Sequence, residues 1–195
     1  MKERNVSEKV NVELANAYRL LHPMHTVLIS TVGNAGKPNI MPAAWAMPTS
    51  INPPMVAISI SPQRHTHQLI EESKEFAINI PTVKIINQVS ACGSTTGKEH
   101  DKFTENKLTP YPARGIKAPI VLECIAHIEC KVRDKLITGD HTIFIGEIIE
   151  AYADKNKFTK AKNLRTTALL YHLGGNKFAT LNPKIRKPKP TTTSS

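Results

Sequence analysis

Between Pro38 and Gln63 the chain runs 26 residues without a charged side chain, although 22% of the protein is charged. Six of its 14 prolines fall in this window, PNIMPAAWAMPTSINPPMVAISISPQ. An uncharged run longer than about 20 residues ordinarily marks a membrane-spanning helix, and the prolines forbid that here. Pro42, Pro48, Pro53 and Pro54 would each remove a helical hydrogen bond and clash with the preceding turn, at about 3 kcal/mol or more apiece. Asn39, Thr49, Ser50, Asn52, Ser59 and Ser61 add polar cost in lipid. What remains is a neutral, proline-stiffened surface that ends abruptly in Arg64, His65, Thr66 and His67, a basic, hydroxyl-bearing corner. A flat aromatic ligand carrying a phosphate suits both halves.

The start, MKERNVSEKVNVELANAY, is charged and has no apolar core before a small-residue cleavage site. It therefore shows no secretory signal, and a cytoplasmic protein without membrane attachment is expected. A length of 195 residues with 40% apolar content suits a single domain, residues 1–182 with an N-terminal helix. Residues 183–195, PKIRKPKPTTTSS, read as a basic, flexible tail carrying Lys184, Arg186, Lys187 and Lys189 out of a net charge of +10. The remaining charge is dispersed and only 5% of residues are aromatic, so nucleic acid is disfavoured as a partner. Cys92, Cys124 and Cys130 contain no C-x-x-C pair and read as buried reduced thiols. His65-x-His67 with His100 or His141 has a spacing that permits metal ligation. H-E-x-x-H is absent and no cysteine pair assists, so no metal is expected.

Apolar residues at helical spacing predict a helix over Ser7 to Leu21, stopped by Pro23. Thr26 to Val32 and Lys37 to Ala44 flank Gly33-Asn34-Ala35-Gly36 and predict a hairpin. GNAGK is no phosphate loop, because a proline and a strand follow it instead of a helix. Met55 to Ile60 predicts a strand, Thr66 to Ser73 a helix with Thr66 at its N-cap, Phe76 to Ile80 a strand and Val83 to Val89 a short helix. Cys92 to Arg114 reads as a long functional loop. Ile120 to Val132 and His141 to Tyr152 predict a second hairpin around Arg133 to Asp140, with Leu169 to His172 and Lys177 to Thr180 closing the chain around Gly174-Gly175-Asn176. Strands dominate, and the pattern predicts a mainly β protein, a closed antiparallel barrel with helical insertions.

The helix beginning at Thr66 would aim its first amides at an anion, with Arg64 forking onto phosphate oxygens and Ser59 and Ser61 arriving on the incoming strand. Spacing alone equally allows a solvated arginine and an ordinary cap. Order along the chain supplies more. Asn39 to Ala44, Trp45-Ala46-Met47-Pro48-Thr49-Ser50, Asn52-Pro53-Pro54, Ile58-Ser59-Ile60-Ser61, Arg64-x-Thr66 and Glu75 to Pro81 resemble the flavin reductase-like, flavoredoxin-type FMN-binding family. Later landmarks follow in the same order: Cys92-Gly93-Ser94-Thr95-Thr96-Gly97-Lys98, Asp101-Lys102-Phe103, Gly139-Asp140-His141 through Glu147, and Tyr171-His172-Leu173-Gly174-Gly175. The resemblance covers roughly residues 20 to 180.

It implies an antiparallel split barrel, usually homodimeric, that holds FMN noncovalently near the subunit interface. Exposed backbone groups of a proline-rich loop such as AWAMPTS can meet the carbonyl and nitrogen edges of a flavin without charge. Trp45, Met47, Pro48, Thr49 and Ser50 are thereby implied near the ring or ribityl chain, Trp45 reading equally as core. Ser59, Ser61, Arg64 and Thr66 are implied at the phosphate. Asn79 either contacts the cofactor or ends its strand. Lys98, His100 and Lys102 meet an FMN or NAD(P)H phosphate, or belong to a mobile charged loop. His141 is implied beside the flavin face and an incoming nicotinamide, the one candidate catalytic side chain. The implied activity is transfer of hydride from NAD(P)H to bound FMN, then of electrons to free flavin, an iron complex or a protein. A flavoredoxin-type electron carrier is the alternative, since no G-x-G-x-x-G marks a separate dinucleotide site.

Overall fold

The charge-free window folds as three strands, Pro38–Ala43, Ala46–Ser50 and Met55–Ile60 (β3, β4 and β5), after Met24–His25 and Val27–Val32 (β1 and β2). Ala46–Ser50 lies within the stretch read as a ring-binding loop. A strand tolerates Pro48 there because β4 is an edge, where a missing N–H need not break a ladder. Pro42 likewise sits on an edge, paired with Leu28. This computed structural model describes residues 9–158 and 167–182. The start of the helix expected from Ser7 and the basic tail expected from 183 lie outside the described residues.

The helices are His65–Ser73, Ile86–Ser94 and Lys102–Glu105 (α1, α2 and α3), with 3-10 turns at Leu14–Leu21 and Val83–Ile85. The remaining strands are Glu75–Asn79, Pro110–Tyr111, Ile120–Val121, Ala126–Thr138, His141–Ala153, Tyr171–Gly174 and Lys177–Ala179 (β6 to β12). Seven strands form one antiparallel sheet in the order β3-β2-β6-β9-β10-β5-β4. Its two edges, β3 and β4, are separated in sequence only by Ala44 and Trp45. Two residues cannot span an open seven-stranded sheet whose strands lie about 4.8 Å apart, so the sheet curls until its edges meet. The fold is the expected mainly β, antiparallel barrel.

β2 shows why the register is secure. Val27 and Ile29 point into the barrel with Ile58, Phe76 and Phe144, whereas Leu28 joins Ile40, Val89, Cys92 and Phe103 in a second core under α2 and α3. A strand covered on both faces reads as a continuous apolar run instead of an alternating one. Gly146 on β10 is the corresponding small residue of the interior: a Cβ there would come within 2.6 Å of the Phe76 ring.

Three expectations are corrected. The segment from Cys92 is helical through Ser94, and Lys102–Glu105 forms α3, capped by the Asp101 carboxylate on the Phe103 and Thr104 amides. Gly93, which made the segment look like loop, packs against Pro42, where a Cβ would approach to 3.0 Å. The Arg133 to Asp140 segment is not loop either. The ladder runs to Thr138↔His141, leaving Gly139 and Asp140 as the turn, with Gly139 at φ +56. Its charged residues are outward strand positions, paired as Arg133 with Glu147 and Lys135 with Glu71. Finally, the N-terminal helix is a 3-10 segment from Leu14, none of it buried, with Leu14 90% exposed. Among the described residues no helix is long and apolar enough to cross a membrane.

On β9, Glu129 is fully buried, and its carboxylate accepts the Arg114 and Gly115 amides at 2.9 and 2.7 Å and the Tyr152 hydroxyl at 2.7 Å. The Arg114 guanidinium lies 4.0 Å over the Tyr152 ring. One buried carboxylate thus pins the turn before β8 to the barrel wall.

Candidate functional site

The basic corner forms where β5 turns into α1. Arg64, not Thr66, is the N-cap, with extended backbone, its amide donating to the Ser61 carbonyl and its carbonyl accepting from His67. Thr66 is one residue inside the helix and 1% exposed, and its hydroxyl accepts the Asn39 side-chain amide at 2.9 Å. The first amides of a helix lack intrahelical acceptors, which leaves those of His65 and Thr66 suited to an anion.

Facing this corner are the end of α2, residues 95–97 and α3. Lys102 is only 5% exposed, and its ammonium donates to the Cys92 carbonyl at 2.7 Å. Burial lowers its pKa from the ordinary lysine value, the nearby Cys92 thiol raises it, and the Arg64 charge lowers it further. His65 is also lowered, first by burial and then by the charge of Lys98. These walls enclose a cavity of about 710 Å³ whose lining contains no aspartate or glutamate. Organic ligands and cofactors occupy cavities of about 300–1,000 Å³. Three of its lining residues carry buried polar atoms without a partner: Thr26 Oγ1, Asn39 Oδ1 and His65 Nδ1.

The other end is aromatic. Trp45 packs on His141 at 4.7 Å between ring centroids, and Tyr18 meets Trp45 edge-on at 5.8 Å. His141 Nδ1 lies 2.7 Å from the Asp140 carboxylate, whose pKa is lowered by that hydrogen bond. The carboxylate can only accept, so Nδ1 carries a proton and Nε2 is left for the cavity. The Trp45 carbonyl accepts the Ser59 amide at 2.9 Å, joining the aromatic end to β5.

Of the residues singled out in the sequence, Trp45, Ser59, Ser61, Arg64, Thr66, Lys102 and His141 line this cavity. Met47, Pro48, Thr49 and Ser50 do not line it: they lie on edge strand β4, and Met47 is 60% exposed. Lys98 is outside the lining as well, although its charge reaches His65. Asn79 is a core residue. Its amide donates to the Leu28 carbonyl and Ser30 hydroxyl, and its Oδ1 accepts from the Val121 amide and faces His127 Nδ1. Those bonds consume the side chain and tie β6 to β2 and β8.

Sequence reasoning missed Asn39, Gly97, His172 and Asn176, all in the lining. Asn39 carried a signal, a carboxamide just ahead of the apolar Ile40 and Met41 on the strand that opens the neutral window. Gly97 has its reason only in space: a Cβ there would overlap the Asn39 amide, lying 2.7 Å from Cγ. The three cysteines are buried and free, with burial pushing Cys92 up to about 11 and Cys130 to about 12. Among the described residues no cluster of three or more His, Cys, Asp or Glu could hold a metal ion.

Residues 19–179 match the family described as Flavin reductase like domain. An uncharacterized protein of Pyrococcus abyssi is 34% identical over 168 residues, which are 86% of this chain and 96% of that protein. The flavin reductase (NADH) of Kitasatospora aureofaciens is 27% identical over 133 residues, 65% of this chain and 64% of that protein. The flavoredoxin of Desulfovibrio vulgaris superposes with a TM-score of 0.77 at 25% identity, covering 99% of each chain. A barrel closed through Ala44 and Trp45, with a cavity at its seam and a family match from residue 19 to 179, makes this chain a member of the flavin reductase-like family.

Proposed function

We propose that the cavity binds FMN noncovalently and that the protein is an oxidoreductase taking hydride from NAD(P)H. The observation that carries the reading is Lys102, a buried cation with no acid in the cavity around it. An uncompensated buried charge costs several kcal/mol, and a phosphate dianion between Lys102 and Arg64 removes that cost. The hydroxyls and backbone of Ser59, Ser61, Thr95 and Thr96 in the same lining suit the polyhydroxylated chain of that guest. When bound, FMN would supply the ring that takes up hydride and passes on electrons.

The chain's own residues would then divide the work. Arg64, Thr66, Ser59, Ser61 and Lys102 hold the phosphate end. Trp45 and the backbone about it flank the ring, and His141, oriented by Asp140, presents Nε2 to a nicotinamide. A homodimer is part of the proposal. Met47, Ile51, Leu14 and Leu20 are each 60% or more exposed, an apolar surface that a second copy would cover. Met47, Pro48, Thr49 and Ser50 would in that arrangement meet the cofactor held by the partner.

The purified protein is expected to be yellow and, mixed anaerobically with NADH or NADPH, to bleach near about 450 nm. Bleaching by dithionite alone would replace the reductase with the electron carrier, a reading favoured by the full-length likeness to a flavoredoxin. A colourless protein that takes up no added FMN would end both. Arg64→Ala is expected to weaken FMN retention by about 1.5 to 3 kcal/mol through lost charged hydrogen bonds, as read by equilibrium titration. Unchanged retention removes Arg64 from the site.

A further inference from the structure

We propose that Asn39 is a positioning residue that turns Thr66 into an obligate hydrogen-bond donor toward a bound phosphate monoester. The inference rests on the FMN reading and adds a residue that acts through another. Asn39 lies on β3, Thr66 on α1, and both are nearly inaccessible, at 3% and 1% exposure.

The chemistry follows from which group can give a proton. A carboxamide NH2 only donates, so the 2.9 Å contact from Asn39 Nδ2 to Thr66 Oγ1 fills an acceptor position on the hydroxyl. The hydroxyl proton must then point elsewhere. No acceptor among the described residues receives it, and Thr66 lines the cavity beside Arg64 and Lys102. A free threonine hydroxyl spreads its proton over several rotamers; this one is aimed before the ligand arrives, and pre-aimed donors hold an anion without reorganisation cost.

Gly97 is what gives the carboxamide its place. A Cβ at Gly97 would overlap the Asn39 amide and come 3.2 Å from the His65 ring. Any side chain there would push the amide off Thr66. Asn39 Oδ1, buried without a hydrogen-bond partner, is turned toward Gly97. The carboxamide is thereby held with its NH2 toward Thr66.

The test compares FMN with riboflavin, which has the same ring and lacks the phosphate. Both are titrated into the cofactor-free full chain, wild type, Asn39→Asp, Thr66→Val and the double variant. Asp keeps the shape of Asn but accepts the Thr66 proton instead of donating. The ratio of FMN to riboflavin affinity is expected to fall roughly 10- to 100-fold in each single variant, with riboflavin affinity retained. The double variant is expected to fall no further than the larger single, because the two residues act in series. Losses that add would mean that the charge introduced by Asn39→Asp repels the phosphate independently of Thr66, and would overturn the positioning role. An unchanged ratio in Asn39→Asp would mean that the amide faces Thr66 with its oxygen, which also overturns it. Should Asn39→Asp not fold, Thr66→Val decides: an unchanged ratio there defeats the proposal. Wild-type protein that binds both ligands equally defeats it while leaving flavin binding intact. Protein that binds neither defeats the FMN reading itself.

Discussion

Lys102→Met is expected to weaken FMN binding by about 100-fold and, at the same time, to stabilise the cofactor-free protein. The two effects have opposite signs because one charge serves both states. Methionine matches the length of the buried stem and removes the ammonium, which costs the hydrogen bond to the Cys92 carbonyl, about 1 kcal/mol. Relief of an uncompensated buried cation returns several kcal/mol. With phosphate in place the same ammonium is no longer uncompensated, and its loss is pure cost. Titration with FMN and thermal unfolding of the cofactor-free protein measure the two halves. Equal FMN affinity in variant and wild type would remove Lys102 from the phosphate site and take the main support of the proposed function with it.

The pH dependence has a definite sign. Burial holds Lys102 below the ordinary lysine value of 10.5 in the folded state, so between the lowered value and 10.5 the unfolded chain binds more protons. Stability of the cofactor-free protein therefore contains a term that rises with pH across that window. Lys102→Met abolishes the term.

Glu129→Ala is expected to cost about 3 to 5 kcal/mol, measured by urea unfolding at neutral pH. Alanine leaves the Arg114 and Gly115 amides and the Tyr152 hydroxyl without their acceptor inside the protein. Burial alone would raise the Glu129 carboxyl, but those donors and the Arg114 charge outweigh it and hold the group below its ordinary 4.5. A depressed carboxyl contributes stability that is complete above the unfolded value and is lost as pH falls through 4.5 toward the folded one. Wild type should lose stability in that window faster than the variant. A loss under about 1 kcal/mol would show that water replaces the carboxylate at no cost.

How much of this was legible depended on whether the cause was local. The β2 run from Val27, the Met55–Ile60 strand and α1 could be read because side-chain type and period decide them. Ala46–Ser50 read as loop because proline is a breaker by default, and only the strand's place at an edge makes Pro48 acceptable. Arg133 to Lys135 read as loop because charge signals exposure, which a protruding hairpin also provides. The corner at Arg64 was visible as chemistry, yet its cap was assigned two residues too late, since the Thr66 hydroxyl accepts from Asn39 on another strand instead of capping the helix. Asn79 failed for the same reason. A buried carboxamide on a strand end looks the same in sequence whether it meets a ligand or, as here, three neighbouring chain segments. Gly97 and Glu129 are explained only by partners far along the chain.

The seam between β3 and β4 has a mechanical side. No ladder of hydrogen bonds joins these edges; they are held together by the two-residue connection at Ala44 and Trp45. Widening the gap breaks no strand pairing, so the barrel is stiff around most of its circumference and compliant along one line. That line is the charge-free window itself, and the cavity borders it through Met41 to Trp45. The basic corner lies off that line, built on the ladder of β5 and the start of α1, and Trp45 ties the seam to β5 through its carbonyl.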